Sequence, residues 1–260
     1  MESALLTVAP EEIPDVLIIG EAHPGDPRPH LRKIRNEKIR KAVELLLLRA
    51  FAGRRLIYRA FDEEALARRW EQIIPLVEKI VQHAAGEGKK VIIHMEALPG
   101  GYRKGVVEAL ATGGIEHMTA AAHALIRMGD CILRNHVIVR GLKDPKLEEK
   151  YGKSLIRIVR RRDELAGEIP VQALVDPRLA RKRIKELEKL AKELKKICKK
   201  WEEALRREAV RGISEHPEDV HILVVGEAHR EGLEKEIRRR FPGRRVKSRA
   251  LVSPGELHTL

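Results

Sequence analysis

The chain has 260 residues, long enough for one large α/β domain or for a core carrying an insertion. Its two cysteines, Cys131 and Cys198, exclude a disulfide framework and a cysteine-based metal knuckle. No apolar run approaches the roughly 18 residues of a membrane span. The N-terminal Met1-Glu2-Ser3-Ala4-Leu5 lacks the basic and apolar regions of a secretory signal, so a cytoplasmic chain is expected. Charged residues make up 35% of the chain and side-chain amides are few, which is a thermophile-like balance. The net charge of +13 comes largely from a helical stretch, Arg178 to Arg211, where Glu is interspersed. That pattern reads first as an ion-paired, solvated helix face, with nonspecific polyanion binding as its functional counterpart.

In chain order, Asp15 to Ile19 is a short β-branched run that reads as a buried parallel strand ending at Gly20-Glu21-Ala22-His23. A proline loop, Pro24 to His30, follows, then a helix from about Leu31 to Phe51 and a strand over Leu56 to Tyr58. Asp62 is the expected N-cap of a helix from Glu63 to Ala85, kinked at Pro75. Val91 to Glu96 is the next strand, which Leu98-Pro99-Gly100-Gly101 should break abruptly. Gly113-Gly114 precedes a helix carrying His117 and His123, and Val137-Ile138-Val139 is strand or part of a longer helix.

Lys146 to Ala166 reads as helix, and Pro170 and Pro177 bracket a connection to the long helix Arg178 to Arg211. In that helix Ala180, Ile184, Leu187, Ala191, Leu194, Cys198, Trp201 and Leu205 alternate spacings of four and three, with Leu190 and Ile197 widening the stripe. Such a seam packs against the preceding helix as an inserted antiparallel hairpin, or against a second copy as a homodimer through helix 178–211. Val220 to Val225 then leads into Gly226-Glu227-Ala228-His229, a helix, Gly243-Arg244-Arg245 and a last strand.

The phrase strand, Gly-Glu-Ala-His, helix, Gly-Arg-Arg, strand thus occurs at both ends of the chain, the first copy closing on Gly53-Arg54-Arg55. The expected fold is α/β, a mainly parallel sheet flanked by helices. A duplicated unit occupies the chain ends, with core residues 1–143 and 212–260 and a basic helical hairpin inserted over 144–211. In open α/β sheets ligands bind at the C-terminal strand ends, where both motifs lie.

Residues two apart on an extended chain point the same way, so Glu21 with His23, and Glu227 with His229, are expected to face one site. Glu96 ends a third strand, and five candidate side chains then converge. Mixed carboxylate and imidazole suits a divalent transition metal, Mn, Co, Zn or Fe. Such a metal can polarise a carbonyl and supply hydroxide. A Glu–His pair can instead act on water as general base. Against this stands a plain structural role, with the glutamates capping helices and the histidines satisfied locally. His94, inside its strand, reads as a hydrogen-bonded core histidine; Arg28, His30, Tyr102, Arg103 and Lys104 flank the motifs as loop surface or as contacts for an anionic substrate. No phosphate-binding glycine loop and no Gly-x-Ser-x-Gly elbow is present, which disfavours nucleotide-dependent and serine-hydrolase chemistry.

A strand ending in Gly20-Glu21-Ala22-His23 with Asp26-Pro27 and His30 after it, a strand-end Glu96 in Ile93-His94-Met95-Glu96, and Gly226-Glu227-Ala228-His229 resemble the TraB/Tiki superfamily, to which ChaN-like and erythromycin-esterase-like proteins are related. The resemblance implies an α/β core interrupted by helices, with a site made of both Gly-x-x-His turns and the central Glu. It implies a metal-dependent or Glu/His-based hydrolase of an ester or amide, acting on a small molecule or peptide. A non-catalytic protein holding metal, haem or a small ligand is the alternative. The Arg-Asn or Arg-Asp pair common before the second motif is replaced here, with Arg207-Glu208 nearest in position and Arg162-Asp163 further upstream.

Overall fold

The computed structural model describes residues 13–21, 37, 63–112, 124–125, 128–129, 131–132 and 137–251. His23, the proline loop with Arg28 and His30, helix 31–51, strand 56–58, His117 and His123 lie outside the described residues.

The elements are β1 (Val16–Glu21), α1 (Glu63–Gly86), β2 (Val91–Pro99), β3 (Gly101–Lys104), α2 (Val106–Thr112), β4 (Ile138–Lys143), α3 (Pro145–Val175), α4 (Pro177–Glu215), β5 (Val220–Gly226), α5 (Glu227–Arg240) and β6 (Val246–Ala250). Among the described residues the strands form one mixed, mostly parallel sheet in the order β3-β4-β2-β5-β1-β6. β5 lies parallel between β2 and β1, and β6 lies parallel on the far side of β1. No described helix is long and apolar enough to cross a membrane.

Alternation explains the layering. Leu17, Ile19, Val91, Ile93, Met95, Ile222 and Val224 fall on one face and share a core with Trp70, Ile73, Val77, Ile80, Val81 and Ala84 of α1. Pro75 sits inside α1 without ending it, and Gly88 at φ +66° supplies the left-handed residue of the following turn. Both faces of the two central strands are buried, as parallel strands covered on both sides require, and the face away from α1 carries the buried His94 and His221.

Four expectations change. β2 runs on to Pro99, and the Gly-rich stretch turns the chain into β3, which pairs antiparallel with β4. Gly141 makes room there: a Cβ at this position would stand 1.7 Å from the carbonyl oxygen of Pro99. The Val137–Val139 ambiguity settles as strand from Ile138 through Lys143. Helix α3 passes through Pro170 and stops at Val175. The real breaks are the two Asp-Pro pairs. Asp144 Oδ1 accepts from the amides of Lys146 and Leu147, and Asp176 Oδ1 from those of Arg178 and Leu179, with proline at the first helical position each time.

The chain falls into two compact units, Met1–Leu142 with Glu208–Leu260, and Lys143–Arg207. In the second unit α3 and α4 are tied by Arg161 Nε to Glu186 at 2.9 Å and by Lys200 Nζ to the Tyr151 hydroxyl at 2.8 Å. The fourth change lies here. The buried and half-buried stripe of α4 is Leu187, Leu190, Leu194, Ile197, Trp201, Ala204 and Leu205, while Ile184, Ala191 and Cys198 are exposed. The stripe is rotated because Leu190 and Ile197 bring larger apolar surface than Ala191 and Cys198.

Candidate functional site

β1 and β5 are direct neighbours, so the two glycine turns lie side by side at the C-terminal ends of parallel strands. Their register is offset: Gly20 pairs with Val225, and Glu21 with Gly226. A one-residue step in a pleated pair changes face. Glu227 Oε2 lies over Gly20, where a Cβ would meet it at 1.8 Å, whereas Glu96 Oε2 and His229 Cδ2 approach the Cβ position of Gly226 at 3.5 Å each.

Helix α5 begins at Glu227, so the extended geometry expected at 227–229 does not form. Residues two apart on a helix do not face each other. Glu227 is buried and takes Arg230 Nε on both carboxylate oxygens, at 2.8 and 3.0 Å; Arg230 goes on to Ser248 of β6 at 3.1 Å, and the Ser248 hydroxyl donates to Glu234. This lattice locks α5 onto the sheet. Glu227 is therefore a packing carboxylate, and Gly20 is the residue that admits it. Alanine at Gly20 is expected to cost about 1–3 kcal/mol by overpacking, read as a lower urea midpoint; an unchanged midpoint would show that Glu227 swings aside freely.

His229 and Glu96 do meet. His229 Nε2 lies 3.5 Å from Glu96 Oε1, and Glu96 Oε2 accepts the Gly226 amide at 2.7 Å. Both side chains are about one-third exposed, 29% and 32%, so solvent reaches the pair. Glu21 is buried at the end of β1, and His23 lies outside the described residues. Among the described residues no three His, Cys, Asp or Glu side chains gather closely enough to hold a metal ion. Glu96 and His229 offer two converging donors, short of the three protein ligands of a catalytic zinc-type centre, and Glu227 is already neutralised by Arg230.

Glu208 is held by the fully buried Arg140, whose Nη2 reaches its carboxylate at 3.0 Å and whose Nη1 reaches its carbonyl at 2.7 Å. Arg211 adds a second contact to Glu208 at 2.8 Å. Arg207 pairs with Asp144 at 3.2 Å, and Arg162 is exposed on α3.

Around Arg140 stands a network absent from the sequence reading. His94 on β2 and His221 on β5 share a face and bond through Nε2 and Nδ1 at 2.9 Å. His221 Nε2 lies 3.0 Å from the His216 carbonyl, which only accepts, so that nitrogen carries the proton. His221 Nδ1 is then an acceptor and His94 Nε2 the donor, which leaves His94 Nδ1 as a bare lone pair facing Gly212, with no donor among the described residues. Burial is the main reason both imidazoles are held neutral: it pushes His94 well below its ordinary value and His221 down to about 4. Arg140 also lies over the Tyr102 ring at 5.3 Å, and the Tyr102 hydroxyl donates to Glu215. Burial, then the Glu215 carboxylate, pushes Tyr102 up to about 12. Two signals of it stand in the sequence: His94 inside its strand run, and an arginine directly after the β-branched pair Ile138-Val139.

No family model, no curated protein and no solved structure matches this chain.

Proposed function

We propose that the chain is a hydrolase of an ester or amide bond, of the TraB/Tiki type that its motifs resemble, working through Glu96 and His229. The observation that supports this reading is the Glu96–His229 pair, formed where the parallel pairing of β2 with β5 ends and α5 begins, with one carboxylate oxygen anchored on the Gly226 amide and the other facing the imidazole. Glu96 orients the ring through the Nε2 edge that faces it. The His229 Nδ1 lone pair takes the proton of a water as it attacks the substrate carbonyl and returns it to the leaving alcohol or amine as the C–O or C–N bond breaks. The anchored carboxylate is what makes the pair more than a surface contact, since it fixes the ring's partner before substrate arrives. A metal centre would need a donor beside these two, His23 foremost, and no step is assigned to one. The same proposal takes α3 and α4 as an antiparallel hairpin inserted in an α/β core whose two ends repeat one βαβ unit; the α3–α4 ion pairs and the adjacency of β1 and β5 support it.

The test is hydrolysis of a panel of chromogenic esters and labelled peptides by the purified chain and by its Glu96→Gln and His229→Ala forms. Each substitution is expected to lower kcat/KM by about 10²–10⁴-fold, with Tm nearly unchanged because both side chains reach solvent. Hydrolysis that persists at the original rate in both variants would reject the assignment. A chain inert on the whole panel would turn the reading toward ligand binding.

A further inference from the structure

The second unit, Lys143–Arg207, carries 21 Lys and Arg against 12 Asp and Glu, a net charge of +9 out of the chain's +13. Its arginines and lysines are used differently. Arg161 bonds Glu186 and Glu164, Arg183 bonds Glu186 and Glu168, Arg206 bonds Glu202, and Arg207 bonds Asp144. These pairs engage five of the unit's twelve acidic side chains in holding it together. The lysines of α4 stand apart.

Lys182, Lys185, Lys189, Lys192, Lys196 and Lys199 recur at spacings of three and four, all six exposed. At 1.5 Å per residue the row is about 25 Å long, and at 100° per residue it lies roughly opposite the buried stripe of Leu187, Leu194 and Trp201. Five of them make no ion pair with any described residue, and Lys199 reaches Glu203 only at 4.0 Å. Carboxylates stand four residues from four of them, Glu186 from Lys182, Glu193 from Lys189, Glu188 from Lys192 and Glu203 from Lys199, yet only the last pair closes, at 4.0 Å, and the other ammonium groups stay open to solvent. Beside it, a groove of about 550 Å³ between α3 and α4 has Lys153, Arg157, Arg160 and Arg161 on its wall, with Glu164 and Glu193 among them and apolar side chains between.

We infer that this lysine row binds the phosphate backbone of double-stranded nucleic acid. Ammonium groups with no carboxylate partner gain most from releasing the counterions condensed on a duplex, whose charge density exceeds that of a single strand. Single-stranded nucleic acid would call for stacking aromatics, and the unit's Trp201 and Tyr151 are instead covered by Lys143 and by Lys150 and Lys200. An anionic membrane surface would call for large apolar side chains on the same face, where the row has none.

Fluorescence anisotropy with short labelled DNA and RNA duplexes tests it on the full chain, alongside the variant with all six lysines changed to glutamine, a residue of similar helix propensity. The full chain should bind at least one duplex, with log K falling against log salt at a slope of about −5. The six-glutamine chain should bind at least 100-fold more weakly at about 50 mM salt. Independently, Glu193→Lys, which removes a carboxylate between groove and row, should tighten binding several-fold. Absence of duplex binding, binding indifferent to both substitutions, or capture by phosphatidylserine vesicles in place of duplex would overturn the inference. Hydrolase activity is read in a separate assay and bears on neither outcome.

Discussion

Alanine at Gly212 is expected to destabilise the protein by about 2–4 kcal/mol, although Gly to Ala inside a helix gains about 1 kcal/mol from propensity alone. The added Cβ would stand 2.6 Å from Cε1 of His94 and 3.0 Å from both His94 Nδ1 and Arg140 Cδ. Neither neighbour can step back cheaply. The His94 ring is fixed by its strand and by the 2.9 Å bond to His221, and Arg140 is fixed by two bonds to Glu208. Moving the ring leaves two buried imidazoles without each other, and moving Arg140 strips a buried carboxylate of its partner; either loss exceeds the helix gain. Thermal or urea unfolding should show a fall in Tm of roughly 5–15 °C. A variant as stable as its parent would mean that this end of α4 stands further off β2 than the structure places it.

Mild acid should destabilise the protein through the same pair. The imidazoles of His94 and His221 are held below the ordinary histidine value of 6.5, so the unfolded chain binds protons that the folded one refuses. Stability from this source is complete above pH 6.5 and is lost as pH falls from there toward about 4, where His221 itself titrates in the folded state. Each imidazole contributes a slope of about 1 kcal/mol per pH unit in that window. The interval from pH 6.5 to 5 isolates the effect, since paired carboxylates such as Glu234 begin to matter only nearer their ordinary value of 4.5. Urea midpoints should therefore drop steadily across it, and His94→Gln, if folded, should show about half the slope. A flat profile between pH 7 and 5 would mean that the pair takes up protons while folded, and that the burial described here is relieved in solution.

Local pattern by itself determined a good deal. The apolar runs at 16–19, 91–95 and 220–225 are strands in sequence and in structure, because β-branched runs of that length bounded by glycine or proline have few other conformations to adopt. The amphipathic period of α1 and the charge-rich period of α4 were equally readable, as was the placement of Gly20 and Gly226 at the ends of parallel strands. Glu96 and His229 were legible as strand-end and turn residues of chemical interest, and the core character of His94 followed from its position inside a run.

Only the tertiary structure decided which of these residues meet. Glu96 and His229 are 133 positions apart and come together because β2 and β5 are neighbours. The duplicated phrase suggested that Glu227 would join them; a one-residue offset in register and a helix starting at Glu227 sent it to Arg230 instead. Arg140, Glu208, Gly212 and the two buried histidines form a network whose members lie on four elements, β2, β4, α4 and β5, and no periodicity within any one of them foretells it. The rotation of the α4 stripe from Ala191 and Cys198 to Leu190 and Ile197 has the same origin. Period tells a helix that it has an apolar side, but the partner surface selects which side chains that side will bury.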